Sequence, residues 1–430
     1  MALEFVKLIK GDNVVSQVGS FGFFKLGVES SGGGSDDSVI YGVRIDLNNS
    51  DPVSSVEYTD DAIGFDNSYM DFTNKKFEYG SWADKFPFNQ VKPCIVSGGK
   101  VTTYLNPNNY FEDVDGNAVT ITGNVDVMIE IPKIYYYMHN DDNYQYLQIS
   151  NTKVNDNYCC LAHTFNGVEN DKVYVSAYHI NESGYSRSEY SAGGTSYRTW
   201  SGNLQSQSPN SWKNSDQNNS NLTKKKFTII TYHMTNLLKL LFVLQFKTLN
   251  CINALGKGYA IYTQSGDPYH QLLGTMNDKG MYWGSKTTST SSNTSTIVGT
   301  KFMGMENAWG NYNSVVYGIK PNSSGFDIVD VTQPTTKPTW ITLLSDYTLA
   351  TGYLSKIYGT NELGFIPKET SGSSSTYYCV STSASMTSEY SVMFSDYGGS
   401  KGMLLLSQLK NNTEYSQATG CRSMYYPQSY

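Results

Sequence analysis

Only one stretch of this chain repeats its apolar residues with a helical period. Met234, Leu237, Leu238 and Leu241 are spaced i, i+3, i+4, i+7, which sets one apolar stripe against a core and predicts a helix from about Thr235 to Phe246. Thr231 or Thr235 can cap its start. Elsewhere apolar residues come in short runs bounded by Gly, Pro, Asn and Asp, the pattern of strands and turns. Aromatic residues make up 14% of the chain and charged residues 16%, against roughly 25% charged in typical soluble domains. A disordered chain shows the reverse balance, so this one folds. The expected fold class is α+β and β-rich.

The 430 residues correspond to two or three domains at ~150 residues each. Residues 1–38 read as an N-terminal docking arm and linker, with a pair of ordinary strands as the alternative. Residues 39–125 read as a small β-rich domain. Val39 to Asp46 is one expected strand; Lys92–Val96 and Val101–Leu105 are two more around the turn Ser97-Gly98-Gly99, and Asn106–Asn109 is a further turn. Residues 126–430 read as the third unit. It opens on Val127 to Met138, a single apolar strand whose Pro132 predicts a bulge or an edge position. Ala254 to Tyr259 turns the chain, and Lys286 to Ser295 is a Ser/Thr-rich loop.

The net charge is −7 and Lys224-Lys225-Lys226 is the one basic cluster, so no nucleic-acid partner is expected. Met234 to Leu249 is too short and too polar to span a bilayer. The first 25 residues lack the pattern of a signal peptide. These features predict a cytoplasmic protein or one that leaves the cell within a particle. The six cysteines contain no C-x-x-C pair and read as reduced, mostly buried residues.

Catalytic signatures are sparse. The five histidines share no metal-ligand spacing, and there is no G-x-S-x-G elbow or phosphate-binding loop. Glu112 to Gly116 begins like a calcium loop, which makes Asp113 and Asp115 weak metal candidates, but no Glu occupies the twelfth position from Asp113; a solvated turn is the favoured reading. Asp60 and Asp61 point to opposite faces in a strand and cannot act jointly. Glu306 lies beside Asn307 and Trp309, and a buried Glu among aromatics could be a general acid. A structural carboxylate is the stronger reading, because no second carboxylate is positioned with it. No cofactor is expected. Tyr377, Tyr378, Tyr390, Tyr397, Tyr415, Tyr425 and Tyr426 are interleaved with Ser and Asn. That mix gives contact area at low entropy cost together with adaptable hydrogen bonds, as on recognition surfaces.

Several blocks in order carry a family resemblance: YGVRID at Tyr41–Asp46, YTDDAIGF at Tyr58–Phe65, KPC at Lys92–Cys94, YLNPNNY at Tyr104–Tyr110, DVMIEIPKIYYYM at Asp126–Met138, VYVSAYH at Val173–His179, FMGMENAWGN at Phe302–Asn311 and GCRSMYY at Gly420–Tyr426. Over roughly residues 40–430 the chain resembles bacteriophage tail adhesins whose C-terminal part has a C-type-lectin fold, of the kind shared with formylglycine-generating enzymes. The resemblance implies a twisted, mostly antiparallel sheet, one or two helices and long loops. It makes Glu306, Asn307, Trp309, Gly310 and Asn311 a central structural loop, and it puts receptor-binding residues between about Thr382 and Ser416, among them Tyr390, Tyr397, Lys401, Asn411, Asn412 and Tyr415. The chain departs from the family pattern at Met303-Gly304, Asn313 and Tyr317-Gly318, and nothing matches the catalytic segment of the formylglycine enzymes.

The expected function is therefore that of a non-enzymatic virion protein at a tail tip or fibre. It would be assembled in the host cytoplasm, bind a bacterial surface glycan or protein, and dock on other tail proteins through its N-terminal region as a homotrimer without membrane insertion. The alternatives are a head-fibre or decoration protein, and a glycan-degrading tail enzyme with Glu306 as its acid.

Overall fold

The computed structural model describes residues 9–10, 13–14, 38–121, 125–180, 185–187, 227–256, 258, 261–262, 268–269, 273–286, 299–311, 313–321, 326–333, 339–344, 352–353, 356–369, 380–381, 392–393, 407–408 and 419–429. The chain divides into two compact units, Met1–Asp37 and Ser38–Tyr430. In the first, Ile9–Lys10 pairs antiparallel with Asn13–Val14. The rest of the expected docking arm lies outside the described residues.

Eleven strands of the second unit build a seven-stranded and a four-stranded sheet. They are β1 Ile40–Asp46, β2 Val56–Asp60, β3 Lys92–Ser97, β4 Lys100–Asn106, β5 Asn109–Asp113, β6 Asp126–Pro132, β7 Tyr135–Asn140, β8 Tyr144–Ser150, β9 Lys172–Ser176, β10 Phe227–Ile229 and β11 Ser423–Tyr425. One sheet has the order β10-β11-β9-β6-β3-β4-β5 and the other β7-β8-β1-β2. Two helices follow β10: α1, Tyr232–Phe246, and α2, Cys251–Leu255. The protein is thus β-rich and largely antiparallel, with few helices.

The expected boundary near residue 125 does not separate two cores. β6 lies between β3 and β9, and β1 pairs along its whole length with β8. Each sheet draws strands from both sides of that position, so residues 39–125 and 126–430 share one apolar core. The run Val127 to Met138 also divides. Pro132 ends β6, and two residues later the chain enters the other sheet as β7. Without an N–H, Pro132 cannot extend the ladder, so it marks the crossing between sheets rather than a bulge within one strand.

Burial patterns separate the two sheets. In β8, Gln145, Leu147 and Ile149 point into the core while Tyr144, Tyr146 and Gln148 alternate outward. In β6, by contrast, every residue from Asp126 to Ile131 is buried. Val127, Ile129 and Ile131 join the main core. Met128, on the opposite face, packs with Cys94, Val96, Tyr174, Phe227 and Tyr425. The β3–β4 turn occurs where expected, with Gly98 and Gly99 at φ 56° and 73°, as a two-residue hairpin of this type requires.

Helix α1 begins three residues before the expected start. The Thr231 side chain accepts a hydrogen bond from the Met234 N–H at 3.2 Å, which satisfies one of the free donors of the first turn. All fifteen of its residues are buried, Lys239 included, so the helix is not a surface helix with one apolar stripe. It packs against β1 and the short turn Leu161–His163. Cys94 and Cys160 are buried free thiols, Cys159 is a half-buried one, and Cys251 and Cys421 are buried; Cys379 lies outside the described residues.

Among the described residues His163, His179 and His233 are buried. Burial pushes His163 down to about 3 and His233 down to about 4. The unfolded chain takes up these protons from about pH 6.5 downward, whereas the folded chain does not. Their contribution is therefore complete above pH ~6.5 and is lost as pH falls toward ~4, at up to about 1.4 kcal/mol per pH unit for each ring. Urea unfolding across this range should show the decline, and the substitution His163→Leu should reduce its slope by about one proton.

Candidate functional site

Two arrangements of polar and aromatic groups invite a functional reading. The first is buried. Lys301–Phe302 and Met305–Glu306 form a short hairpin whose turn residues Met303 and Gly304 have φ of 48° and 81°. A Cβ at Gly304 would lie 2.5 Å from the Tyr110 hydroxyl and 2.6 Å from Ile129, so both the positive φ and the close approach call for glycine there. The hairpin directs Glu306 inward. Its Oε1 accepts the Gly274 N–H at 2.8 Å and its Oε2 accepts the Met276 N–H at 3.0 Å. Lys301 Nζ donates to the Met276 carbonyl at 3.0 Å and lies 3.8 Å from the centre of the Tyr110 ring. Arg422 donates to the carbonyls of Ser176 (3.1 Å), Ala177 (3.0 Å), Asn307 (3.0 Å) and Glu306.

Burial pushes the Glu306 carboxyl up and the Lys301 amine down, and each group opposes the other's shift. The two backbone N–H bonds and Arg422 also favour the carboxylate. Burial lowers Arg422 to about 10, so it is a cation at neutral pH. Glu306 is 0% exposed and both of its oxygens hold main chain. It is built as a post that fixes residues 274–276, without the access to substrate that a general acid needs.

The rest of the expected central loop is equally enclosed. Asn307, Trp309, Gly310 and Asn311 are all buried, and Asn307, Gly310 and Asn311 have φ of 54°, 76° and 66°. Trp309 Nε1 donates to the Gly256 carbonyl at 3.0 Å, and its ring meets Phe242 edge-on at 5.8 Å.

The second arrangement faces outward, on the side of the β7-β8-β1-β2 sheet away from the core. Tyr137 stacks on His139 with ring centres 4.2 Å apart, and His139 stacks on Tyr146 at 4.7 Å. Tyr144 follows at 6.1 Å from Tyr146, and the Arg44 guanidinium lies 4.7 Å from the Tyr144 ring centre. Arg44 is anchored to Glu57 at 2.6 Å, and the Tyr146 hydroxyl donates to Asp141 at 3.1 Å. Burial moves His139 down from its ordinary value, so the ring is neutral at pH 7. The register explains the row: His139 lies opposite Tyr146, and Tyr146 opposite Arg44. Cross-strand neighbours on one face stand close enough for aromatic contact. The row therefore presents half-exposed rings and hydroxyls on a rigid sheet.

None of these residues had been singled out for binding from the sequence. Their sequence signal is period-two alternation, Tyr135-Tyr137-His139 and Tyr144-Tyr146-Gln148, and the first of these lies inside a run whose apolar content predicts only a strand. Of the residues expected to bind a receptor, Tyr390, Tyr397, Lys401, Asn411, Asn412 and Tyr415 lie outside the described residues, as do Tyr377 and Tyr378. Tyr425 and Tyr426 face inward instead. Tyr425 stacks on Phe227 at 4.8 Å and Tyr426 on Phe165 at 4.9 Å, because the last strand is inserted between β9 and β10.

At the weak calcium candidate, Asp113 turns its carboxylate onto its own backbone, accepting the N–H groups of Asp115 and Asn117 at 2.9 and 2.8 Å. Among the described residues no group of three or more His, Cys, Asp or Glu is arranged to hold a metal. Asp61 accepts the Ile40 N–H, and Asp60 accepts from Thr59 and Gln148; both serve the sheet edge. Among the described residues no helix is long and apolar enough to cross a membrane.

Comparisons with protein-family models and with curated proteins find no match for this chain. The substitution Glu306→Gln places an amide N–H against a backbone N–H and removes the negative charge facing Lys301 and Arg422. It should cost about 3–5 kcal/mol, read as a lowered urea midpoint.

Proposed function

We propose that the protein is a non-enzymatic adhesin of a bacteriophage particle, which holds a bacterial surface receptor through contact area rather than reactive groups. The observation that carries this reading is the outward row Tyr137-His139-Tyr146-Tyr144, closed by Arg44. Its rings are positioned by each other and by the sheet, so little conformational freedom is lost when a ligand is bound. Ring faces and hydroxyls side by side suit a sugar, which offers C–H faces and hydroxyls of its own. The burial of Glu306, with both oxygens occupied, favours adhesion over glycan cleavage.

The order of sequence blocks supports placement at a tail tip or fibre. It also supports a C-type-lectin-like arrangement of the second unit, with its terminal strand returned to the middle of a sheet beside the Glu306 loop. The N-terminal unit would dock on neighbouring virion proteins, and residues 382–416 would add a second contact region. Homotrimeric assembly would raise weak single-site binding through effective concentration.

The test is binding of the purified full-length protein to wall polysaccharide fractions from a panel of bacteria. The double substitution Tyr137→Ala/Tyr146→Ala should weaken binding to the recognised fraction by roughly ten- to thirtyfold with little change in the unfolding midpoint. Release of new reducing ends from that fraction would refute the non-enzymatic reading.

A further inference from the structure

A cleft of about 490 Å³ opens between the hairpin Tyr69–Asp71/Lys76–Glu78, the turn at Asn108 and the segment 278–283. Small-ligand sites commonly occupy roughly 300–1,000 Å³. Three lysines line the cleft, Lys75, Lys76 and Lys279, against one carboxylate, Asp278, in a chain whose net charge is −7. Lys76 is paired with Glu78 at 2.8 Å and Lys279 with Asp278 at 3.0 Å. Lys75 is exposed and has no carboxylate partner among the described residues.

The cleft is preformed. Asp71 accepts the N–H groups of Thr73 and Asn74, both at 2.9 Å, which sets the turn that presents Lys75 at φ 54°. Phe77 stacks on the buried Tyr282 with ring centres 4.3 Å apart and planes 8° apart, and Tyr79 meets Tyr282 edge-on. These rings make a firm apolar wall. Lys279 Nζ lies 5.6 Å from the centre of the half-buried Trp283 ring, so a cation and an aromatic surface adjoin. The amide of Asn108 adds a donor and an acceptor to the lining.

We infer that this cleft binds an anion-bearing saccharide, with a sugar ring against Tyr79 and Trp283 and a phosphate or carboxylate at Lys75 and Lys279. A neutral sugar would leave Lys75 without a counter-charge, and a bare anion would leave the aromatic wall unused. A nucleic acid needs a broad basic footprint, which the acidic chain does not supply. The inference goes beyond the adhesin reading: it names a ligand class for residues separate from the row Tyr137-His139-Tyr146-Tyr144, and it stands whether or not that row binds a cell surface.

Calorimetric titration of the full-length protein with four probes tests it: a phosphomannan, galacturonate oligosaccharides, neutral dextran and a single-stranded oligonucleotide. The expected result is binding of at least one anionic saccharide in preference to dextran and the oligonucleotide, weakening as salt is raised. Which anionic probe binds distinguishes phosphate from carboxylate. The double substitution Lys75→Glu/Lys279→Glu should lower that affinity by about tenfold or more. The same charge change at the exposed Lys100 and Lys153 should not, and unfolding midpoints should confirm that both variants are folded. The proposal is overturned by equal or tighter binding of dextran or the oligonucleotide, by no binding of either anionic saccharide, or by equal losses in the two double variants. Because Tyr137 and Tyr146 are unchanged in these proteins, adhesion to wall fractions scores the two sites separately.

Discussion

A guanidinium sealed from water carries five N–H donors in a fixed plane, and Arg422 places four hydrogen bonds on the carbonyls of Ser176, Ala177, Glu306 and Asn307. Those partners lie 115 to 246 residues away in sequence. One side chain near the end of the chain thus joins the exit of β9, the Glu306 hairpin and the terminal strand. Desolvating a lone cation is costly, and the Glu306 carboxylate is the opposite charge that favours it. Glu306 in turn holds Gly274 and Met276, and Lys301 holds Met276 from the other side. The network therefore fixes residues 274–276, directly before the segment 278–283 that forms one side of the lysine-lined cleft. A buried polar network fixes one arrangement, because partial satisfaction is worse than none.

The same logic divides the two sheets by role. The seven-stranded sheet carries apolar residues on both faces of its middle strands and is committed to the core. The four-stranded sheet is buried on one face only, which leaves Tyr137, His139, Tyr144 and Tyr146 free to face outward without disturbing Leu147 or Ile149 behind them. A surface built this way is as rigid as the core that supports it. The aromatic row needs no mobile part to be preorganised.

Several local features could be read directly from the sequence, because they depend on neighbours in the chain. The Gly98-Gly99 turn, the flanking strands and the Thr231 cap all follow from steric rules at one to four residues' distance. Helix α1 was legible in position but not in environment. Its apolar stripe predicted one buried face, whereas Lys239 and Gln245 are buried too. Which polar side chains a core accepts depends on partners that the helix itself does not contain. Pro132 was legible as an interruption, but not as the point of transfer between sheets, since strand order is a non-local property. Glu306 was legible as a structural carboxylate; Lys301 and Arg422 as its buried counterparts were not, for they come from a neighbouring strand and from the far end of the chain.

The sequence alone determined the class of protein: β-rich, low in charge, rich in tyrosine, with one long helix. Backbone sterics and side-chain chemistry act residue by residue and need no knowledge of the fold. Only the tertiary structure decided which tyrosines are core and which are surface. Tyr425 and Tyr426 turn inward because the last strand inserts between β9 and β10, and Tyr137 and Tyr146 turn outward because the register of β7 on β8 leaves their face uncovered. Period-two alternation tells which residues share a face, but strand order and sheet packing decide which face is covered.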